Sequence, residues 1–189
     1  MIKSRCTWCG DDPLYMEYHD KEWGVPVFSD DKLFEFLLLE TFQAGLSWIT
    51  ILRKRDNFRL AFDNFNYQKI AMYDQEKYES LLLDAGIVRN KLKIRATIIN
   101  AQLFIKMQKE FGSFSNYFWQ FTDHKPLENK RQDLLQVPAT TTLSDTISKD
   151  LKKRGFKFVG STVIYAYMQA VGMVNDHIEE CFRNQEVNL

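Results

Sequence analysis

Apolar residues recur every three or four positions through most of this chain, while alternating strand patterns are nearly absent. Only eight glycines and four prolines interrupt 189 residues, and no repeat or low-complexity segment appears. Such patterning restricts the chain to an all-α fold, a compact helical bundle, and its length fits a single domain over 1–189. Ser29 and Asp30 are placed to cap a helix running through Phe34, Leu37 and Leu38 toward Glu40. Gly45 breaks that pattern, and Ser47 precedes a second apolar stripe of Trp48, Ile51, Leu52, Phe58 and Phe62. Short helices are expected near Gln68–Tyr73 and Gln75–Asp84, then a turn at Gly86 and a long helix from about Asn90 to Phe111. Further helices are expected over Phe114–Phe121, Ser144–Arg154, Thr162–Val171 and Asp176–Phe182. The stretch Thr122–Thr142 carries two of the prolines and reads as a loop.

The formal net charge is zero, which excludes a protein that coats nucleic acid by bulk charge. Charge is unevenly spread, however. Nine acidic residues lie between Asp11 and Glu40, and six basic ones with no acidic neighbour lie between Ala85 and Lys109. A locally basic face on a neutral protein suits salt-sensitive contact with phosphates, and suits a solvated helix face equally. The N-terminus lacks an apolar leader and no apolar run reaches the length of a membrane span, so a cytoplasmic protein is expected. Three cysteines make no disulfide scaffold.

Candidate metal ligands gather at the two ends of the chain. Cys6, Cys9 and His19 lie near one terminus, His177 and Cys181 near the other. The latter two are four apart, and in a helix they share one face. Thiolate and imidazole suit tetrahedral zinc, which would tie down two termini that otherwise fray. Spacing favours the Cys6-x-x-Cys9 knuckle as the other half, with Cys6 and His19 as the alternative.

The segment from Glu79 to Ile94 joins an apolar helix, a glycine turn and a basic helix start, the layout of a helix-hairpin-helix over about 78–105. Gly86 would let a DNA phosphate approach the backbone, with Arg89, Lys91 and Lys93 supplying charge around it. Aromatic content is high, at 14%. Trp8, Tyr15, Tyr18, Trp23 and Trp48 lie close in sequence to Glu40, which follows the apolar run Phe36-Leu-Leu-Leu39. An ionised group there is costly unless paired or functional. Rings and a carboxylate together suit a cationic ligand.

Several segments resemble the bacterial 3-methyladenine DNA glycosylase type I (TAG) family. They are Asp12-Pro-Leu-Tyr15, Tyr18-His-Asp20, Glu22-Trp-Gly-Val-Pro26, Gln43-Ala-Gly-Leu-Ser-Trp-Ile-Thr50, Asp84-Ala-Gly-Ile87, Gly155-Phe-Lys-Phe-Val-Gly160 and Val174-Asn-Asp-His177, in family order across nearly the whole chain. The resemblance implies a monomeric, monofunctional repair glycosylase of the helix-hairpin-helix superfamily, acting on double-stranded DNA that contains alkylated bases. It implies structural zinc on Cys6, His19, His177 and Cys181, with Cys9 at a non-ligand position and no organic cofactor. Glu40 and Tyr18 would act on the base edge, and Trp8, Tyr15, Trp23 and Trp48 would enclose the base. Gln43 and Leu46 would lie beside the gap left by the flipped nucleotide, with Gly86, Arg89, Lys91 and Lys93 at the DNA backbone. The acid that many superfamily members carry after the hairpin is missing, since Glu110 alone is acidic between Ala85 and Thr122. That absence fits a base that already departs easily. Two rival readings are a lyase using Lys91 or Lys93 as amine nucleophile and a non-catalytic, zinc-stabilised DNA-binding module.

Overall fold

In the computed structural model, which describes residues 3–187, the second helix is the axis around which the others pack. This helix, α2 (Asp30–Gln43), buries ten consecutive residues from Leu33 to Phe42. A helix buried over so long a run must be enclosed by its neighbours, and α2 touches α3 (Trp48–Ala61), the long α6 (Lys91–Phe111), α7 (Phe114–Trp119) and α9 (Ser161–Ala170). Its N-terminal Asp30 does not cap α2 but reaches across the bundle to accept hydrogen bonds from the backbone amides of Phe114 (3.0 Å) and Ser115 (2.8 Å) in the first turn of α7, and Ser29 makes no side-chain cap either. Most of the aromatic surplus is core. Phe34, Phe42, Phe58, Phe62, Phe104, Phe114, Phe118, Trp119 and Tyr167 are fully enclosed.

The remaining helices are α1 (Pro13–Lys21), α4 (Tyr67–Ile70), α5 (Gln75–Leu83), α8 (Thr142–Lys153) and α10 (Arg183–Glu186). Local chemistry accounts for several of their starts. Asn90 caps α6 by accepting from the amides of Leu92 (3.0 Å) and Lys93 (3.1 Å), and Thr141 and Ser144 form a reciprocal capping box on α8.

Three expectations need correction. Helix α1 was not anticipated, although Asp12 caps it through the amides of Leu14 and Tyr15 with Pro13 in its first turn. The segment Asp176–Phe182 is not a helix. It is a run of turns held by the Asn175 side chain and by Arg131, whose carbonyl accepts from the Glu179 amide at 2.7 Å. The loop from 122 to 142 is not wholly irregular either. Its β1 (Leu127–Glu128) pairs in parallel with β2 (Val174–Asn175), fastening that loop to the C-terminal segment. Gly172 turns the chain between α9 and β2 at φ +69°, packed so closely on Val25 that a Cβ would lie 2.3 Å from the Val25 carbonyl carbon. The remainder agrees with an all-α bundle.

Candidate functional site

The N- and C-terminal segments meet at a four-residue cluster. Cys6, His19, His177 and Cys181 are all buried, and one ligand atom from each lies within 4.8 Å of the other three. Cys181 Sγ stands 3.4 Å from both His19 Nε2 and His177 Nδ1, and Cys6 Sγ 3.7 Å from His177 Nδ1. His177 and Cys181 converge through turns rather than through a shared helix face. Cys9 is left out of the cluster, because its Sγ turns to the Cys6 carbonyl at 3.1 Å. Both imidazoles are aimed by their second nitrogens. His19 Nδ1 lies 2.8 Å from Asp20, which Arg5 grips through two nitrogens, and His177 Nε2 lies 3.1 Å from the Trp23 carbonyl. Burial would raise the Asp20 carboxyl, but the hydrogen bonds from Arg5 and His19 outweigh it and hold it below the usual range. Two thiols and two oriented imidazoles, closed off from solvent, suit a metal ion with no open position.

The cluster also builds one wall of a cavity. Trp8 sits two residues after Cys6, and Tyr18 immediately precedes His19. Trp23 lies edge-on to His177, with centroids 4.6 Å apart. Trp8 packs edge-on against both Tyr15 (5.0 Å) and Trp23 (4.9 Å), and Tyr18 lies 5.3 Å from Trp48. These five rings with Glu40 and Gln43 line a cavity of about 380 Å³. The sequence reading also missed lining residues. Leu134 and Val137 come from the β1 loop, and Ala166 and Gln169 from α9. No local signal marks Leu134 or Val137, because long-range pairing with the C-terminal segment carries their loop to the cavity. Asp176 secures that arrangement, accepting from Tyr165 (2.6 Å), Asn129 (2.7 Å), Gln169 (2.8 Å) and Arg131 (3.1 Å).

Two buried glutamates on α2 have opposite fates. Glu35 bonds Arg55 at 2.8 Å and Lys32 at 2.9 Å; burial would raise its carboxyl, but these cations hold it below the usual range. Glu40 is 3% exposed, its Oε2 has no partner, and burial pushes its carboxyl up to about 8. The indole nitrogens of Trp8 and Trp48 are likewise buried without partners. Buried polar groups are normally satisfied, so this concentration marks a place where a ligand completes the hydrogen bonding. Two indole N–H groups and a carboxyl oxygen thus lack partners among residues that line one cavity, and rings beside a carboxyl favour positive charge.

The expected DNA-facing residues divide. Arg89 and Lys91 are exposed, Leu46 is 41% exposed, and Gln43 lines the cavity. Lys93 does not face solvent. Its ammonium turns inward to the carbonyls of Phe42 (2.8 Å) and Ala44 (2.6 Å), which corrects its assignment as a phosphate contact. The Gly86 amide is also committed, to Asp84 Oδ1 at 2.7 Å. A Cβ at 86 would lie 2.9 Å from that same side-chain oxygen and 3.1 Å from Asn57 Cβ, so any larger residue there makes Asp84 and Asn57 shift.

The chain matches the family model for methyladenine glycosylase over residues 8–184. It is 49% identical to DNA-3-methyladenine glycosylase 1 of Escherichia coli K12, covering 94% of this chain and 95% of the relative. It is 45% identical to DNA-3-methyladenine glycosylase of Haemophilus influenzae, covering 95% and 97%. A 3-methyladenine DNA glycosylase I solved in complex with 3-methyladenine superposes with a TM-score of 0.92 at 32% identity, over 95% of this chain and 97% of that one.

Proposed function

This chain belongs to the methyladenine glycosylase family, and from that premise we propose that it excises 3-methyladenine from alkylated DNA, as a single monofunctional domain that flips the damaged nucleotide. The observation that carries the reading is the unpartnered Glu40 carboxyl facing a cavity walled by five rings. N3-methylation puts a positive charge on adenine, so the glycosidic bond is already weak and modest help suffices. In the empty cavity Glu40 holds its proton at neutral pH, because nothing opposes the cost of burying its charge. A cationic base entering the cavity supplies the missing counter-charge, so Glu40 ionises and its proton leaves to solvent. The carboxylate then selects the cation, and Tyr18 beside it holds the base edge. Water attacks the sugar carbon as the bond to the base breaks; the bonding pair goes to the base, which departs neutral, and the proton lost by the water passes to solvent.

Extruding a nucleotide costs a few kcal/mol. On this reading Leu46 and Gln43 fill the vacated space, while Arg89 and Lys91 hold backbone phosphates beside the α5–α6 turn, which serves as the helix-hairpin-helix. The phosphate charge comes from these exposed side chains, since the Gly86 amide is already bonded. Zinc on Cys6, His19, His177 and Cys181 would supply a cross-link between the chain ends rather than a reacting group, all four of its positions being filled by protein. That tether also steadies Trp8, Tyr18 and Trp23. In the test, the protein is incubated with methylated duplex and the released base identified. Free 3-methyladenine is expected, and Glu40→Gln should slow single-turnover release while leaving DNA affinity nearly intact. Equal single-turnover rates for variant and parent would remove Glu40 from the chemistry.

A further inference from the structure

Lys93 is 6% exposed, an unusual place for an ammonium. It occupies the first turn of α6, just after the Asn90 cap, and crosses to the last turn of α2. There it meets the carbonyls of Phe42 and Ala44, at the end of a helix where Gly45 turns the chain at φ +81° and backbone acceptors are left over. A cation at a helix C-terminus is favoured by the dipole, and a charge-assisted hydrogen bond is about twice as strong as a neutral one. The turn so gripped is closed by the Leu46 amide donating to the Gln43 carbonyl at 2.6 Å. It presents Gln43 to the cavity and Leu46 to solvent. On the other side of Lys93 lies the hairpin with Arg89 and Lys91, itself steadied by Lys54 from α3, whose ammonium donates to the carbonyls of Ala85 (3.2 Å) and Gly86 (3.1 Å).

We propose that Lys93 is a positioning residue that locks the Gln43–Leu46 turn to the start of α6, fixing the distance between the element that fills the nucleotide gap and the element that grips the DNA backbone. This rests on the glycosylase reading above and extends it. A turn held by its backbone alone would let Leu46 swing, and the binding energy gathered at the phosphates could not be applied to extrusion. The same two hydrogen bonds occupy the ammonium and point it away from solvent, so Lys93 serves as an anchor and not as an amine nucleophile.

The test uses the full, metal-loaded chain as parent, Lys93→Met, Lys93→Arg, Leu46→Ala and the Lys93→Met/Leu46→Ala double variant. Each is measured for single-turnover release of 3-methyladenine from methylated duplex. Each is also measured for affinity toward a duplex with one tetrahydrofuran abasic analogue against the same duplex unmodified, and for binding of free 3-methyladenine by tryptophan fluorescence. Lys93→Met should lose about tenfold in release rate and in preference for the abasic duplex, the scale of one charge-assisted hydrogen bond. It should bind the free base within about twofold of the parent, because Glu40 and the five rings lie off the gripped turn and Gln43 alone of these lining residues lies on it, an effect of ordinary surface scale. Lys93→Arg, which still carries a cationic donor, should recover much of the loss. The double variant should be no worse than the more impaired single one, because both changes act through one turn. Parent-like preference in Lys93→Met, losses that multiply in the double variant, or free-base binding that falls in step with duplex binding would each overturn the proposal. Should Lys93→Met fail to fold, Lys93→Gln keeps a neutral donor at the same place, and the same outcomes apply to it. A parent that releases no methylated base defeats the glycosylase reading instead.

Discussion

Replacing Glu40 by glutamine should make the protein more stable while making it a poorer enzyme. Burial raises the Glu40 carboxyl from an ordinary 4.5 to about 8 in the folded chain. Between those two values the folded state holds a proton that the unfolded state has released. Stability therefore falls as pH rises through that window and levels off above it. Below 4.5 both states are protonated and the group contributes nothing. At pH 7 the folded protein carries a penalty of about 3 kcal/mol, from 1.36 kcal/mol per pH step above the ordinary carboxyl value. Glutamine is neutral throughout and nearly isosteric, so the variant escapes the penalty. Its advantage should be near zero at the acid end and about 3 kcal/mol at pH 7, which for a chain of this size is a rise in melting temperature of roughly 6–12 °C. The assay is urea unfolding of both proteins at several pH values, read as the difference between them so that protonation of the metal ligands cancels. A difference that stays flat with pH would refute the argument, since it would mean that the cavity already ionises Glu40. Trading stability for a poised group is what a binding site does when its ligand supplies the missing charge.

The other expectations are local. Gly172→Ala should cost more than about 3 kcal/mol in chemical denaturation, because the new Cβ meets the Val25 backbone at a positive φ and backbone cannot give way as a flexible side chain can; a parent-like midpoint would show that the two segments separate easily. Asp20→Asn replaces the carboxylate that orients His19, and should weaken metal binding by roughly 10–100-fold in a chelator competition. Unchanged competition would mean that the Cys6 and Cys181 thiols hold the metal without that orientation.

How far the sequence alone reaches can be seen at particular residues. Periodicity places α2, α3, α5 and α6 closely, because that signal acts within one or two turns of chain, and Asn90 needs only the amides of Leu92 and Lys93 to begin a helix, whereas Ser29 and Ser47 stand at helix starts without a side-chain cap bond. The five rings stand out through their closeness in sequence to Glu40, and the resemblance added the choice of His19 over Cys9 as a ligand, which spacing leaves open. Tertiary structure decided the rest. Lys93 reads as one more basic residue on a basic helix start, and only the packing of α6 against the end of α2 reveals which way its ammonium points. Asp176–Phe182 carries a helical pattern, yet pairing with the β1 loop and convergence on Cys6 and His19 hold it in turns. Glu35 and Glu40 look alike in a string of letters. One meets arginine from α3 and the other meets nothing, and that difference in partners is a property of three-dimensional neighbours that no local pattern encodes.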